Sequence, residues 1–354
     1  MNLIDKIKQK TEKQKYINQI NKRIKNAKYI HLMFNDKFIK PFVELINKNF
    51  NPQEHLFLCK KIYDEFPFPI GENVVELKYL ARLNFNNAEK LICHSLFDRE
   101  VVDYFYKHQS ILKEKAYWII YGGDLYDAPI DEKNDFVRSN FKGYLNKIDE
   151  NYARSKYKIS EKQKFYDIFY IFPITKQMLD NSKHAIRNYT KIQINNSCDK
   201  STLEMLDILS KFKNNNIKIT TVLSYGEMEY KEKIITKGQE LFGNKFEYLD
   251  KFISPEKYVE KIAQNDILIF NQNRQQGIGN IIAALYLGSK IYIKKDISAN
   301  DYFNKNNIKI YNTEDIINTD FKNFIKNELK EISKKNSEKY FDEKFLVSQM
   351  TEIF

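Results

Sequence analysis

A chain of 354 residues with 42% hydrophobic and 14% aromatic content has the apolar material for two ordinary domains and is not a disordered protein. Ten Gly and seven Pro exclude collagen-like and proline-rich architectures, and no apolar run approaches the roughly 18–20 residues that span a bilayer. The net charge is +11, yet residues 1–28 hold nine basic and two acidic residues, so +7 of it sits in an N-terminal arm and no broad nucleic-acid-binding face is expected.

The arm 1–28 spaces Ile4, Ile7, Ile17, Ile20 and Ile24 at roughly helical intervals among its lysines. That spacing predicts a basic amphipathic helix with two roles open to it: lying on an anionic membrane surface, or packing its isoleucines on the body of the protein. The arm contains no signal-peptide core, which predicts a cytoplasmic protein. From residue 29 apolar segments at 29–34, 55–59, 91–93 and 117–121 read as strands, separated by helix-like stretches such as 38–49 and 99–107. Residues 127–165 are polar, dotted with aromatics, and read as helical, and 167–172 reads as a further strand. After a connector at 174–190 the alternation restarts. Strands are expected at 191–195, 217–223, 246–249, 266–270, 290–293 and 308–311, and helices at 200–213, 227–242, 255–264 and 278–287. The pattern predicts an α/β protein with two Rossmann-like domains, 29–180 and 181–335, whose parallel sheets face a central cleft, with a last helix, 336–354, returning to the first.

The stretch 266–279 (DILIFNQNRQQGIG) runs from strand through loop to helix. A helix N-terminus offers unpaired N–H groups and the positive end of a dipole. Arg274 adds a forked cation, Gln275 and Gln276 flank it, and Gly277 and Gly279 permit close approach of a bulky anion. The same glycines can serve the turn alone. Two earlier loops follow the same plan: Asn196 and Ser197 before a helix that Asp199 and Ser201 could cap, and Tyr225 with Gly226, where the phenol can stack on a base or sugar. In the first domain Asp124 follows the strand ending in Trp118-Ile-Ile-Tyr-Gly-Gly. It can take a proton from an attacking hydroxyl or merely cap the next segment. His94 closes another strand and can act as a base or be structural, and Asp36 follows the first strand on the same edge. There is no GxxxxGK(S/T) and no GxGxxG after a first strand, which disfavours P-loop and dinucleotide sites. Cys59, Cys93 and Cys198 share no CxxC spacing, and the histidines have no ligand spacing, so no disulfide framework and no metal site are expected.

These residues resemble the bacterial TDP-N-acetylfucosamine:lipid II N-acetylfucosaminyltransferases, the 4-alpha-L-fucosyltransferase family. The resemblance rests on Ile30-His-Leu, the 118–126 segment WIIYGGDLY against the family's W-x-x-W-G-x-D-L-Y, Asn196-Ser197 with Asp199 and Ser201, and Arg274-Gln-Gln-Gly-Ile-Gly279; the order matches over roughly 29–330. It implies a GT-B glycosyltransferase of surface-polysaccharide synthesis that needs no cofactor beyond its donor. The implied donor, TDP-4-acetamido-4,6-dideoxygalactose, is held by Asn196, Ser197, Tyr225, Gly226 and Arg274 to Gly279. The implied acceptor is a polyprenyl-diphosphate-linked saccharide at the inner membrane, met by Asp36, Trp118 and Tyr126, with Asp124 and His94 as catalytic groups. Tyr121 stands where the family commonly has Trp, Ser95 where Gly often follows the His, and the arm 1–28 is an addition that could bind the membrane surface. Two other readings are a nucleotide-sugar epimerase on the same fold and a polyanion-binding protein recruited by the arm.

Overall fold

The computed structural model describes residues 3–169, 171–182, 186–251 and 253–354, the side chains of residues 3 and 4 excepted. The side chain of Ile4 on the predicted amphipathic face, Tyr170 of the predicted strand 167–172, and residues 183–185 of the connector thus lie outside what is described. The chain divides into two compact units: unit 1 is Met1–Pro173 with Leu346–Phe354, and unit 2 is Ile174–Phe345.

Unit 1 is built on seven parallel strands: β1 (Tyr29–Phe34), β2 (His55–Lys60), β3 (Val74–Glu76), β4 (Lys90–His94), β5 (Ala116–Ile119), β6 (Gly143–Leu145) and β7 (Lys164–Tyr166). Their order is β3-β2-β1-β4-β5-β6-β7. Side chains alternate between two apolar layers, as the period of two requires. Leu32, Leu56, Leu58, Leu91 and Cys93 join one cluster. Met33, Phe57, Cys59 and Ile92 join another, which Ile39, Phe42 and Ile46 of the helix Ile39–Asn49 cover together with Met350 and Ile353. The helical reading of 127–165 is corrected: between the helices Glu132–Ser139 and Glu150–Tyr157 lies β6, and β7 follows. Three-residue strands carry too few positions to show a period. At Gly143 a Cβ would lie 2.8 Å from the Tyr117 ring, so the strand needs its glycine. Among the described residues no strand is formed at 167–172; β7 ends at Tyr166 instead.

The N-terminal helix Leu3–Asn26 has two different halves. Ile17, Ile20 and Ile24 are 6%, 2% and 0% exposed, and the last two belong to the first apolar cluster. Asn21 ties this half down by accepting from Asn84 N at 2.9 Å. Those isoleucines therefore pack on unit 1, the second of the two roles read from the sequence. Residues 5–15 are exposed throughout. Among the described residues no helix is long and apolar enough to cross a membrane.

Unit 2 carries six parallel strands: β8 (Thr190–Ile194), β9 (Ile217–Val222), β10 (Phe246–Leu249), β11 (Ile267–Phe270), β12 (Lys290–Ile293) and β13 (Tyr311–Asn312). Their order is β10-β9-β8-β11-β12-β13, so the sheet reverses direction of growth between β8 and β11, and ligands gather beyond the strand ends at such a point. Helices Lys200–Leu209 and Glu229–Phe242 cover one face, bringing Met205, Leu206, Leu209 and Ile234 onto Ile192, Ile194, Ile219 and Ile269. The helix Ile278–Tyr286 is buried at all but two of its nine positions.

Candidate functional site

At the carboxyl edge of unit 2 three loops leave β8, β9 and β11, and each turns through a residue with positive φ: Ser197 (66°), Gly226 (103°) and Gly277 (71°). Gly226 is required. It forms a parallel bridge with Cys198, and a Cβ there would lie 2.7 Å from Cys198 O and 2.9 Å from Cys198 N. That bridge zips two of the loops together: Cys198 N–H donates to Tyr225 O at 2.9 Å, and Glu227 N–H to Cys198 O at 2.8 Å. Gly277 is the residue before the helix Ile278–Tyr286, whose N-terminus has no side-chain cap.

Into this edge project four of the predicted donor-binding side chains. Tyr225 keeps 45% of its surface exposed, yet its hydroxyl sits among Ser197, Arg274 and Gln276. Desolvation there raises the phenol pKa, opposed by the Ser197 hydroxyl, the Arg274 charge and Gln276. Ser197 is 3% exposed and its Oγ makes no hydrogen bond of full geometry. Arg274, Gln275, Gln276 and Gly277 are half-buried along one loop, as is Gly279 in the first turn of the helix that follows. Asn196 departs from expectation. Its Oδ1 accepts from Asn271 N at 2.6 Å and its Nδ2 donates to Ser201 Oγ at 3.2 Å, so the amide braces the β8 and β11 loops against each other and is not available to a phosphate. Two residues that sequence reasoning passed over do similar work. Gln272, 4% exposed, donates to Asn195 O at 2.7 Å, and Tyr258 donates to Asn195 Oδ1 at 3.0 Å. A polar residue inside the apolar-to-polar switch at 270–272 was the only signal for Gln272.

The carboxyl edge of unit 1 corrects the catalytic expectations. Asp124 is 0% exposed. Its Oδ2 accepts from Leu96 N at 2.9 Å and Trp118 Nε1 at 2.7 Å, and its Oδ1 from Tyr121 N at 3.0 Å. Arg138, itself 1% exposed, donates to Asp124 O at 3.0 Å and Leu96 O at 3.1 Å. Burial raises the carboxyl pKa while these donors pull it back. This carboxylate locks the turn after β5 to the loop after β4; it is not placed to take a proton from a substrate. Trp118, 0% exposed and packed on Phe141 and Tyr144, is likewise a core side chain and not an acceptor platform. Tyr126 spends its hydroxyl on Asp149 Oδ1 at 2.7 Å, so it too is committed inside the fold.

His94 is not a surface base either. It is 1% exposed, and its Nε2 lies 3.0 Å from His31 Nδ1, while His31 Nε2 lies 3.1 Å from His55 Nδ1. Three imidazoles form a buried row across β4, β1 and β2. Burial lowers His94 to about 3 and His55 to about 4, and drives His31 well below its ordinary value. Spacing along the sequence could not reveal the row, because the partners are supplied by sheet order. Asp36 stays half-buried just past the end of β1, accepting from Phe38 N at 3.2 Å, with its pKa raised by burial. Beside it Asn35, which sequence reasoning did not single out as a brace, pins the 62–66 loop by accepting from Ile62 N and Tyr63 N and donating to Phe66 O.

Two units, each built on a parallel sheet with helices, have the architecture of the GT-B type. Among solved structures the chain is similar to a glycosyltransferase from Rickettsia africae, at 12% identity and TM-score 0.63, over 92% of this chain and 97% of that one. It is also similar to sucrose-phosphate synthase from Thermosynechococcus elongatus, at 9% identity and TM-score 0.65, over 92% and 98%. A third likeness is to alpha,alpha-trehalose 6-phosphate synthase from Burkholderia multivorans, at 6% identity and TM-score 0.57, over 92% and 95%. At these identities the likeness is one of fold. No curated protein matches the sequence. Residues 71–351 match the family described as 4-alpha-L-fucosyltransferase glycosyl transferase group 56, and the chain belongs to that family. It is a glycosyltransferase, and the family implies a nucleotide-sugar donor and a saccharide acceptor.

Proposed function

We propose that the enzyme transfers 4-acetamido-4,6-dideoxygalactose from its TDP derivative to a polyprenyl-diphosphate-linked saccharide, with unit 2 holding the donor and unit 1 the acceptor. The observation that carries the donor half is the meeting of Arg274, Gln276, the Tyr225 hydroxyl and buried Ser197 beside a helix that begins without a side-chain cap. As the sugar leaves, negative charge grows on the diphosphate. A fixed guanidinium and the positive end of a helix dipole stabilise that charge more in the transition state than in the ground state, which lowers the barrier. Gly226 and Gly277 hold the loops at the approach this requires. In this reading the chain's own groups neutralise the leaving group and no cofactor beyond the donor is called for.

For the acceptor, Asp36 is the carboxylate we assign to the attacking hydroxyl, because burial raises its pKa and so strengthens it as a proton acceptor. Attachment to the inner face of the membrane falls to Lys6, Lys8, Lys10, Lys13 and Lys15 on the exposed half of the N-terminal helix. Basic residues at an anionic surface contribute about 1 kcal/mol each, so this binding is weak and salt-sensitive.

The test is Arg274→Ala assayed with TDP-sugar and a lipid-linked acceptor. Loss of one preorganised donor to the leaving group lowers kcat by about 100-fold. An unchanged kcat and an unchanged thermal stabilisation by TDP would remove Arg274 from the site.

A further inference from the structure

The sheet of unit 1 reverses its direction of growth between β1 and β4, and in an open parallel sheet the crevice beyond the strand ends at such a point receives ligands. Aromatic rings stand there. Phe34, the last residue of β1, is 5% exposed. Its ring lies edge-to-face with that of Tyr63 at 6.0 Å and with that of Phe97 at 6.4 Å. Tyr63 comes from the loop after β2 and Phe97 from the loop after β4, and they keep 37% and 55% of their surface in solvent. Grouped apolar surface left in water is unfavourable and marks a place where something docks.

Both loops are held in place. Asn35, 0% exposed, gives its whole amide to the first: Oδ1 accepts from Ile62 N at 2.6 Å and Tyr63 N at 3.1 Å, while Nδ2 donates to Tyr63 O and, at 3.0 Å, to Phe66 O. In the second loop the tip of the Phe97 ring lies over Gly123, where a Cβ would come within 2.6 Å of Cζ. The next residue, Asp98, accepts from Glu100 N at 3.0 Å and meets Lys60 Nζ at 2.6 Å. Lys60 ends β2, so this ion pair ties the two loops together. A surface fixed beforehand loses little freedom when its ligand arrives.

Charge selects the occupant. Residues 60–65 and 97–100 carry four carboxylates and three cations. Each cation is already committed: Lys60 to Asp98 and Glu100, Lys61 to Asp64, Arg99 to Asp103 and Asp131. That balance is wrong for a diphosphate, and an isoprenoid chain lying there would strip water from carboxylates. A pyranose ring suits both parts, since its C–H face stacks on an aromatic ring and its hydroxyls donate to carboxylates at the margin.

We propose that Tyr63 and Phe97 form a stacking platform for a neutral sugar ring of the acceptor, positioning that ring at the strand ends of unit 1. The platform rests on the reading that unit 1 receives the acceptor.

The test is NMR titration of the full chain with di-N-acetylchitobiose, a neutral disaccharide, and with farnesyl diphosphate as a control that lacks sugar. Saturable disaccharide binding is expected, weakened about tenfold in Phe97→Ala and in Tyr63→Ala and retained in Phe97→Tyr, which keeps a ring. With a lipid-linked acceptor the two alanine variants should raise the acceptor KM by about the same factor and leave kcat unchanged, because the stacking is equal in ground and transition states. TDP affinity and melting point should match the parent, since both rings are exposed. No saturable disaccharide binding, or binding that both alanine variants leave intact, overturns the proposal. If the alanine variants weaken farnesyl diphosphate as much as the disaccharide, the occupant is the lipid and the sugar assignment is wrong. Turnover of a lipid-linked acceptor with an unchanged KM in both variants defeats the platform and spares the proposed reaction. Ring-dependent disaccharide binding in an enzyme that glycosylates no lipid-linked saccharide supports the platform and defeats that reaction.

Discussion

Replacing Asp124 separates a structural carboxylate from a catalytic one. In the parent, Leu96 N and Trp118 Nε1 share Oδ2 and Tyr121 N occupies Oδ1, and Asp124 itself is 0% exposed. In Asp124→Asn the amide can keep its oxygen at the shared position, but its NH₂ then faces Tyr121 N–H, donor against donor. That costs about 1–3 kcal/mol, the penalty for one buried unmatched group. In Asp124→Ala all three donors lose their acceptor, and the cost rises to about 3–6 kcal/mol. For a unit of this size each kcal/mol moves the melting point by about 2–4 °C, so the alanine variant should melt on the order of 10 °C lower. The assay is thermal unfolding followed by tryptophan fluorescence. Trp118 is the chain's one Trp and sits on Asp124, so the signal reports unit 1. Turnover is measured well below the lowered transition. An Asp124→Ala protein that melts with the parent and has lost only kcat would refute the reasoning and restore Asp124 as a base.

Acid should destabilise unit 1 through its buried imidazoles. The folded-state pKa of His94 is lowered to about 3 and that of His55 to about 4, so the unfolded chain binds protons that the folded one refuses. Their contribution is complete above the ordinary value near 6.5 and drains away as pH falls toward 4, by up to about 1.4 kcal/mol per imidazole per pH unit. Melting points between pH 7 and pH 4 check this, and a flat profile would contradict the buried row. Gly226→Ala sets a Cβ against Cys198 at positive φ; it should cost about 2–4 kcal/mol and abolish stabilisation by TDP. Ile24→Ala should destabilise unit 1 by about 2–5 kcal/mol, whereas Ile7→Ala, at an exposed position, should change stability by less than about 0.5 kcal/mol. Equal effects in a urea titration would mean that the N-terminal helix is not docked as described.

The sheets were legible where strands show a short apolar run or an apolar–polar alternation and are separated by amphipathic helices. β1, β2, β4, β5 and β8 to β12 can all be read that way. β3, β6 and β7 could not, because Val-Val-Glu, Gly-Tyr-Leu and Lys-Phe-Tyr take their conformation from a neighbouring strand and not from their own pattern. In the loops after β8, β9 and β11 glycine and polar residues at strand ends marked the edge where Ser197, Tyr225, Arg274 and Gln276 meet, since positive φ and close approach restrict the residue type. Asn196 shows the limit: a polar side chain in such a loop can brace it or bind a ligand, and only its partners decide. The same ambiguity misled at Asp124 and His94. Both follow strands as catalytic residues do, yet Arg138 and Trp118 enclose one and His31 meets the other. Arg138 and His31 lie 14 and 63 residues away along the chain and arrive only through the fold.

The last nine residues have a consequence for how the chain is made. Leu346–Phe354 belong to unit 1. Met350 and Ile353 complete one of its apolar layers, and the Phe354 ring lies 5.0 Å from that of His55 and 5.3 Å from that of Tyr29. During synthesis the ribosome therefore releases the whole of unit 2, one continuous segment, while unit 1 still lacks this covering. The unit translated first is finished last, and its exposed Phe42 and Phe57 layer must wait, shielded or sticky, until the final turn of helix emerges.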